Sequence, residues 1–489
     1  MSKLPNGWAI ACIGDLADLN PKQVFDDETV AGFVPMSHAP TNFRDKLRFD
    51  ERPWGEIKKA YTNFKDGDVI FAKVTPCFEN GKAAFVEGLP NGLGAGSSEF
   101  FVLRPSCESI SAKYLLALIK SYDFLRDGAA NMTGAVGLRR VPRQFVESYL
   151  VPVPPAAEQA RIAARVDELL IQVDTLKARM DGIPTLLKRF RQSVLAAAVS
   201  GRLSEEWRAK NQAEAINLDA LDDVPRTRRG VPVEVKYPEI LNDIKIPDDW
   251  ILASAAKLLK KGVIVDLKDG NHGTNHPKAS DFTIDGLPFI TAANISSSGE
   301  VDYMNAPKVS GAALARLRVG FSEPGDVIFT HKGTVGRVAI NNRDCVLTPQ
   351  TTYYRLNQKI LLNKYLAIFL RSSKFRMQTD IVKSQTTRDF IPITAQYELF
   401  HIIPPILEQF EIVRCVEQLF ALADQLETRV TFAQTRINHL TQSVLAKAFR
   451  GELVPQDSDD EPATLLLERI KAQRETARAK RGRQAANLG

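Results

Sequence analysis

The chain has 489 residues, 44% hydrophobic and 25% charged, with a formal net charge of +6. That length accommodates roughly two to four ordinary domains, and the mix is that of a globular protein. No apolar run approaches the ~20 residues that span a bilayer, and the opening Met-Ser-Lys-Leu-Pro lacks the apolar stretch of a signal peptide, so a cytoplasmic protein is expected.

The first stretch, residues 1–153, reads as a mixed α/β unit. It opens on Pro5-x-x-Trp8. Short runs rich in β-branched and aromatic residues, Asp68–Val74 and Glu99–Leu103, are bounded by Gly and Pro as strands are. A helical pattern covers Ala112–Ile119, and a polar loop with a last strand covers Asn131–Val141. Residues 154–203 are helical. After Pro154-Pro155, the apolar residues Ile162, Val166, Leu169, Val173 and Leu176 recur at spacings of three and four. Glu158 falls in the first turn, the favourable end of the helix dipole, and Gly201 follows the last periodic residue as a stop. Gly182 and Pro184 are expected to kink or break this helix. Residues 204–245 are polar and charged and read as a linker.

Residues 246–403 repeat the mixed pattern, with Pro247-x-x-Trp250, a strand at Asp326–Thr330, a helix at Asn363–Leu370 and a last polar loop at Ser384–Ile391. Residues 404–453 repeat the helix, with Ile412, Val416, Leu419, Leu422 and Leu426 on one face. Residues 454–489 open acidic, continue as a helix around Leu465–Ile470 and end with Lys471, Arg474, Arg478, Lys480, Arg481 and Arg483. The basic end suits a phosphate or subunit contact, set against the reading of a frayed, solvated terminus.

The repetition is the strongest signal. Residues 154–203 and 404–453 align without a gap at a constant offset of 250 and share 19 of 50 positions. The mixed units echo each other more faintly. Gly67-Asp68-Val69-Ile70-Phe71 returns as Gly325-Asp326-Val327-Ile328-Phe329. Each apolar stripe needs a partner helix, and the other copy is the economical one, giving a coiled-coil-like pair. About 25 residues of helix span about 38 Å, close to the ~34–36 Å of one DNA turn. The expected fold is α+β: two mixed α/β domains separated by two long helices forming an antiparallel pair, with an internal pseudo-two-fold repeat.

Each helix is entered by PPxxEQ and left by QSVLxxAxxG. With these motifs twice in order, the chain resembles the specificity subunits of type I restriction–modification systems. Ile183–Leu195, Gly201–Arg208 and Asn438–Leu453 look like the subfamily of the enterobacterial K-type enzymes, and Gly67–Lys82 and Pro349–Tyr354 also look like family wording. The resemblance covers nearly the whole chain. It implies that residues 1–153 and 246–403 are target-recognition domains, each reading one half of a bipartite double-stranded DNA sequence. It implies that the helical repeats set the spacer and dock two modification subunits, with two restriction (motor–nuclease) subunits completing the complex. S-adenosylmethionine and adenine methylation would belong to the modification subunits, and ATP and Mg to the restriction subunits. This chain would carry no cofactor, no metal and no catalytic residue.

The residues agree with a non-catalytic chain. No GxxxxGK[ST] phosphate loop occurs; Asn80-Gly81-Lys82 runs into Ala83. The Pro-Pro pairs at 154 and 404 lack the polar residue that would grip a flipped adenine. His272 and His276 lie four apart, but Gly273 and Pro277 make a loop there, so helical zinc geometry fails. Cys12, Cys77, Cys107, Cys345 and Cys415 contain no CxxC pair, which argues against a zinc ribbon or a disulfide framework. Two rivals stand: an adaptor that spaces two ligand-binding domains without DNA, and a fused methyltransferase or nuclease.

In the major groove Arg and Lys suit guanine, Asn and Gln suit adenine, and Lys and Arg take phosphates. Loops dense in these types give Lys73, Thr75, Asn131, Thr133, Arg139, Arg140 and Arg143 in the first unit. In the second they give Lys268, Asn271, His272, Thr274 and Lys278, then His331, Lys332, Thr334 and Arg337, and finally Gln350, Thr351, Thr352, Gln385, Thr386 and Arg388.

Overall fold

A computed structural model describes residues 4–135, 137–211, 214–225, 231–242, 244–385 and 389–486, without the side chains of 274, 384, 385 and 477–486. Thr386 and Arg388 lie outside the described residues, as do the side chains of Thr274 and Gln385. The chain divides into two compact units: residues 1–181 with 430–489, and residues 182–429.

Two long helices run through this division, α1 (Ala156–Ala198) and α2 (Ile406–Phe449). At 43 and 44 residues they fill most of the two repeats read as helical, continuing well past the last apolar stripe positions Leu176 and Leu426. Gly182 and Pro184 do not break α1, which continues through them. A helix tolerates a single missing N–H when packing on either side holds it.

In the first unit Ile162, Val166, Leu170 and Val173 of α1 bury against Ile437, Leu445 and Ala448 of α2. Gln434 donates to Asp181 at 3.1 Å, so the two segments run antiparallel. Burying each large aliphatic side chain is worth about 1.5–3 kcal/mol. Leu170 takes the place expected for Leu169, while Leu176 is exposed. In the second unit Val194 and Leu195 of α1 share a core with Ile412, Val413 and Val416 of α2. Arg191 bridges Asp424 (2.6 Å) and Glu427 (2.7 Å). Leu422 and Leu426, expected in that core, are exposed.

Each unit carries a mixed α/β domain on the same plan. In the first, an antiparallel sheet is ordered Ala17–Leu19, Phe100–Pro105, Val69–Ala72, Ala83–Phe85. In the second, the order is Ile264–Asp269, Thr351–Leu356, Val327–Thr330, Val338–Ile340. A second sheet accompanies each, with four strands in the first unit and five in the second. The first and last strands of each domain pair antiparallel, Ala9–Cys12 with Leu150–Val153 and Ile251–Ser254 with Phe400–Ile403. Chain entry and exit thus meet at the start of a long helix.

The repeated Gly-Asp-Val-Ile-Phe has a structural reason. Asp68 takes both arms of Arg104 (2.8 and 2.7 Å) and the Lys65 amide, and Asp326 takes both arms of Arg355 (3.0 and 2.9 Å) and the Glu323 amide. Both carboxylates are buried, and the bidentate pair fixes the turn that launches the central strand.

The segment read as a linker is fastened to the second unit. Leu218 and Leu241 are buried, and Asp223 bridges Lys260 and Lys261. The C-terminal segment is likewise no frayed end over its described side chains. Helix α3 (Ala463–Ala486) buries Ala463, Leu466 and Ile470 in the first unit's core. Its Arg474 donates to the Gly14 carbonyl and to Ser106 and bridges Asp18. The five cysteines are free thiols, and Cys345 alone is fully buried. Among the described residues no helix is long and apolar enough to cross a membrane.

Candidate nucleic-acid interface

In each unit the loop after the central strand is stapled to a short hairpin by three backbone contacts in the same order. In the first unit the Val141 amide donates to the Lys73 carbonyl (2.8 Å), Val74 bridges Arg140, and the Thr75 amide donates to the Arg139 carbonyl (3.0 Å). In the second the Ile391 amide donates to the His331 carbonyl (2.9 Å), Lys332 bridges Phe390, and the Gly333 amide donates to the Asp389 carbonyl (3.0 Å). The hairpins are Thr133–Ala135 with Leu138–Arg140, and Ser384–Gln385 with Asp389–Phe390.

The first hairpin stands into solvent, with Thr133, Leu138 and Arg139 exposed. Gly134, at φ +123°, is required there, because a Cβ would lie 2.7 Å from the Leu138 carbonyl oxygen. Thr75 Oγ1 accepts from the Arg139 amide (3.0 Å), fixing the loop against the hairpin. Arg140 is gripped by Glu99 at 2.6–3.1 Å, and those bonds hold the Glu99 carboxyl below its ordinary 4.5. Arg139 meets Glu79 at 3.4 Å, and the Lys73 ammonium lies 5.3 Å from the centre of the Phe101 ring. Lys73, Thr75, Thr133, Arg139 and Arg140 are therefore one cluster. Asn131 and Arg143 flank it and serve local structure: Asn131 donates to the Asp127 carbonyl, and Arg143 to Glu147 and the Leu19 carbonyl.

The second unit brings fewer of its candidates to the surface. Lys332 and Thr334 are exposed, with the Lys332 ammonium 5.4 Å from the Phe390 ring centre. His331 is fully buried and cannot itself touch a base. Its Nδ1 faces the Ile391 carbonyl at 2.8 Å, an atom that only accepts, so Nδ1 carries the proton. Burial lowers this imidazole below its ordinary 6.5. Thr351, Thr352 and Asn271, also expected at the DNA, are buried as well and bond within the protein. Thr351 donates to the Thr348 carbonyl, Thr352 accepts from Gln396, and Asn271 holds the backbone of Arg318 and Val319. Arg337 donates to the Ile295 carbonyl at 2.6 Å, and Gln350 accepts from the Ala292 amide, so both brace loops. Lys268 is half-exposed and meets Asp266 at 3.3 Å. His272 and Lys278 are exposed, and His272 Nε2 meets Asp269 at 2.6 Å.

Sequence reasoning missed Glu99, Glu79 and Phe390, which orient the basic side chains. Their segments are legible as the Gly67–Lys82 motif, the Glu99–Leu103 strand and the last polar loop, but which basic side chain each meets is set only by the fold.

A family model, "Type I restriction modification DNA specificity domain", matches residues 5–185 and 275–431. The chain belongs to the type I restriction–modification specificity-subunit family. It is 36% identical over 361 residues to the EcoBI specificity subunit of Escherichia coli, covering 71% of this chain and 69% of that one. With the EcoKI specificity subunit of Escherichia coli K12 it shares 28% identity over 98% of both chains. The HsdS subunit of Thermoanaerobacter tengcongensis has the same fold, at 21% identity and a TM-score of 0.62 over 92% of this chain and 98% of that one. A chain from a structure of a type I R-M system superposes with a TM-score of 0.65 at 22% identity, over 92% of this chain and all of that one. The two matched stretches each contain one of the stapled hairpins.

Proposed function

We propose that this specificity subunit reads a bipartite DNA target, one half per unit, and itself performs no chemistry. The observation that carries the reading is the duplicated hairpin, held at the same strand end by the same backbone contacts, with Lys73, Arg139 and Arg140 beside the first copy and Lys332 beside the second. Residues 1–153 and 246–403 are the target-recognition domains. Arg139, Arg140, Lys73, Thr75 and Thr133 form the first reading cluster, and Lys332 and Thr334 the second, to which the sequence adds Gln385, Thr386 and Arg388. Lys268, His272, Thr274 and Lys278 add a further basic loop. Phosphate contacts position such a surface, and a few base-edge contacts specify the sequence.

The long helices offer the docking face for two modification subunits. Ile171, Leu176, Phe432 and Leu440 are exposed in the first unit, and Leu186, Phe190, Leu407, Phe410, Leu422 and Leu426 in the second. Apolar side chains exposed in such number mark a surface that a partner covers. Methyl transfer from S-adenosylmethionine to adenine belongs to those partners, and ATP- and Mg-dependent restriction to two further subunits, all in the cytoplasm.

Methylome sequencing of cells expressing the modification subunit, with and without this chain, tests the reading. The expected result is a split motif, two short specific halves around a fixed gap with one modified adenine in each. Replacing residues 1–153 with another homologue's domain should change one half only. Chain-independent methylation, with no DNA binding by the reconstituted complex, would refute it and favour the adaptor.

A further inference from the structure

The Glu-Gln of each PPxxEQ signature is buried in the first turn of a long helix, and the structure shows what it holds. Gln159 accepts from the Ser111 amide and donates to the Pro154 carbonyl (3.1 and 3.0 Å). Gln409 does the same with the Leu362 amide and the Pro404 carbonyl (both 2.8 Å). The Glu reaches instead to the start of the mixed domain. Trp8 Nε1 donates to Glu158 at 2.9 Å, and Trp250 Nε1 to Glu408 at 2.8 Å. Each Trp ends a turn begun by a Pro, the Trp amide donating to the Pro carbonyl. That Pro is seated on a helix-stop glycine: a Cβ on Gly451 would lie 2.5 Å from Pro5, and one on Gly201 2.5 Å from Pro247. The Pro-x-x-Trp segment is thus a plug gripped at the end of one long helix and the beginning of the other.

The two sockets differ. Glu408 is held at three points, by Trp250, by Ser204 Oγ (2.6 Å) and by Arg208 (2.5 Å). In the repeat register Val454 and Ser458 stand where Ser204 and Arg208 stand, and neither residue type supplies the same donor set. Glu158 keeps the Trp8 bond alone. Its second oxygen is buried with no hydrogen-bond partner among the described residues, and nearby Arg161 is taken by Asp460 (2.5 Å).

We infer that Trp8–Glu158 and Trp250–Glu408 are positioning pairs that set the angle of each recognition domain on its helices, and that the first pair, whose carboxylate accepts from Trp8 alone, is the more adjustable one. The inference rests on the proposed DNA reading. Neither pair touches the reading clusters, so each acts through domain orientation. Because the domains must meet half-sites a fixed number of base pairs apart, orientation governs the spacer length accepted rather than the bases read.

The test is methylation by the reconstituted complex on duplexes whose gap is the native length, one base pair shorter or one longer. Trp8→Phe keeps an aromatic side chain and removes the donor. It should raise off-length relative to native-length methylation about fivefold, the weight of one buried hydrogen bond, with both half-site preferences unchanged. Trp250→Phe should change that ratio less than about twofold, because Ser204 and Arg208 still hold Glu408. Glu158→Gln retains an acceptor for Trp8 and should keep wild-type selectivity, while Glu158→Ala should match Trp8→Phe and serves if that variant does not fold. Unchanged spacer selectivity in both Trp8→Phe and Glu158→Ala would overturn the inference. So would relaxation accompanied by loss of the first half-site's sequence preference, which marks plain unfolding of the domain. Failure of the wild-type complex to methylate any split site would instead overturn the DNA reading itself.

Discussion

Replacing Glu408 by Ala should cost far more than the same change at Glu158, although the two residues occupy equivalent places in the repeat. At Glu408 the substitution strands the Trp250 indole N–H and the Ser204 hydroxyl and leaves Arg208 without its counter-charge. Each buried donor left unsatisfied costs about 1–3 kcal/mol. The Arg208 side chain is 24% exposed and recovers part of its loss from water, and the Ser204 hydroxyl can rotate. The sum is about 3–5 kcal/mol, the usual cost of deleting one partner of a buried ion pair. At Glu158 one indole N–H is stranded, but a buried carboxylate oxygen with no partner is also removed. The two effects oppose, and the net cost is about 0–1.5 kcal/mol. Differential scanning calorimetry of the purified subunit is the assay. At about 2–4 °C per kcal/mol, Glu408→Ala should lower a melting transition by about 10 °C, and Glu158→Ala by only a few degrees. Equal shifts for the two variants would refute the reasoning, because the only difference invoked is the number of donors on each carboxylate.

Burial, against the pull of the Trp8 hydrogen bond, raises the Glu158 carboxyl above its ordinary 4.5, so the folded chain holds that proton more tightly than the unfolded chain. The resulting stability is complete below about 4.5 and is lost as pH rises through the raised value. Denaturant titrations should therefore show Glu158→Gln gaining on the wild type across that window and keeping the gain unchanged above it. Glu99→Gln should release Arg140 and remove a negative charge, tightening the assembled complex on non-cognate duplex and steepening the salt dependence by about one unit in anisotropy titrations. Lys332→Ala should weaken all duplexes and flatten the salt slope by about 0.9, whereas Thr351→Val should cost about 1 kcal/mol of stability and leave base discrimination unchanged. Leu466→Ala, in the buried face of α3, should cost about 2–4 kcal/mol and expose the first unit to proteolysis; an unaltered digestion pattern would mean that the C-terminal helix is not part of that core.

The duplication, the helical character of the repeats and the family are all legible in the chain of residues. A gapless offset of 250, a spacing of three and four, and long motifs repeated in order are all properties of a linear string. Ile162, Val166 and Val173, and Ile412 and Val416, could be placed in a core from periodicity alone. Tertiary structure decided which neighbouring apolar residues follow them, because a helix has only one seam toward its partner: Leu170 is buried, and Leu176, Leu422 and Leu426 are left for another surface. It decided too which polar residues remain available. Residue type put Thr351, Thr352, His331 and Arg139 on one footing, and strand pairing then buried three of them and lifted Arg139 onto an exposed hairpin. Most of all it decided the partners distant in sequence, Glu99 for Arg140, Trp8 for Glu158 and Arg474 for Gly14. Hydrogen bonds depend on distance in space, and chain position sets that distance only after the strands and helices have packed.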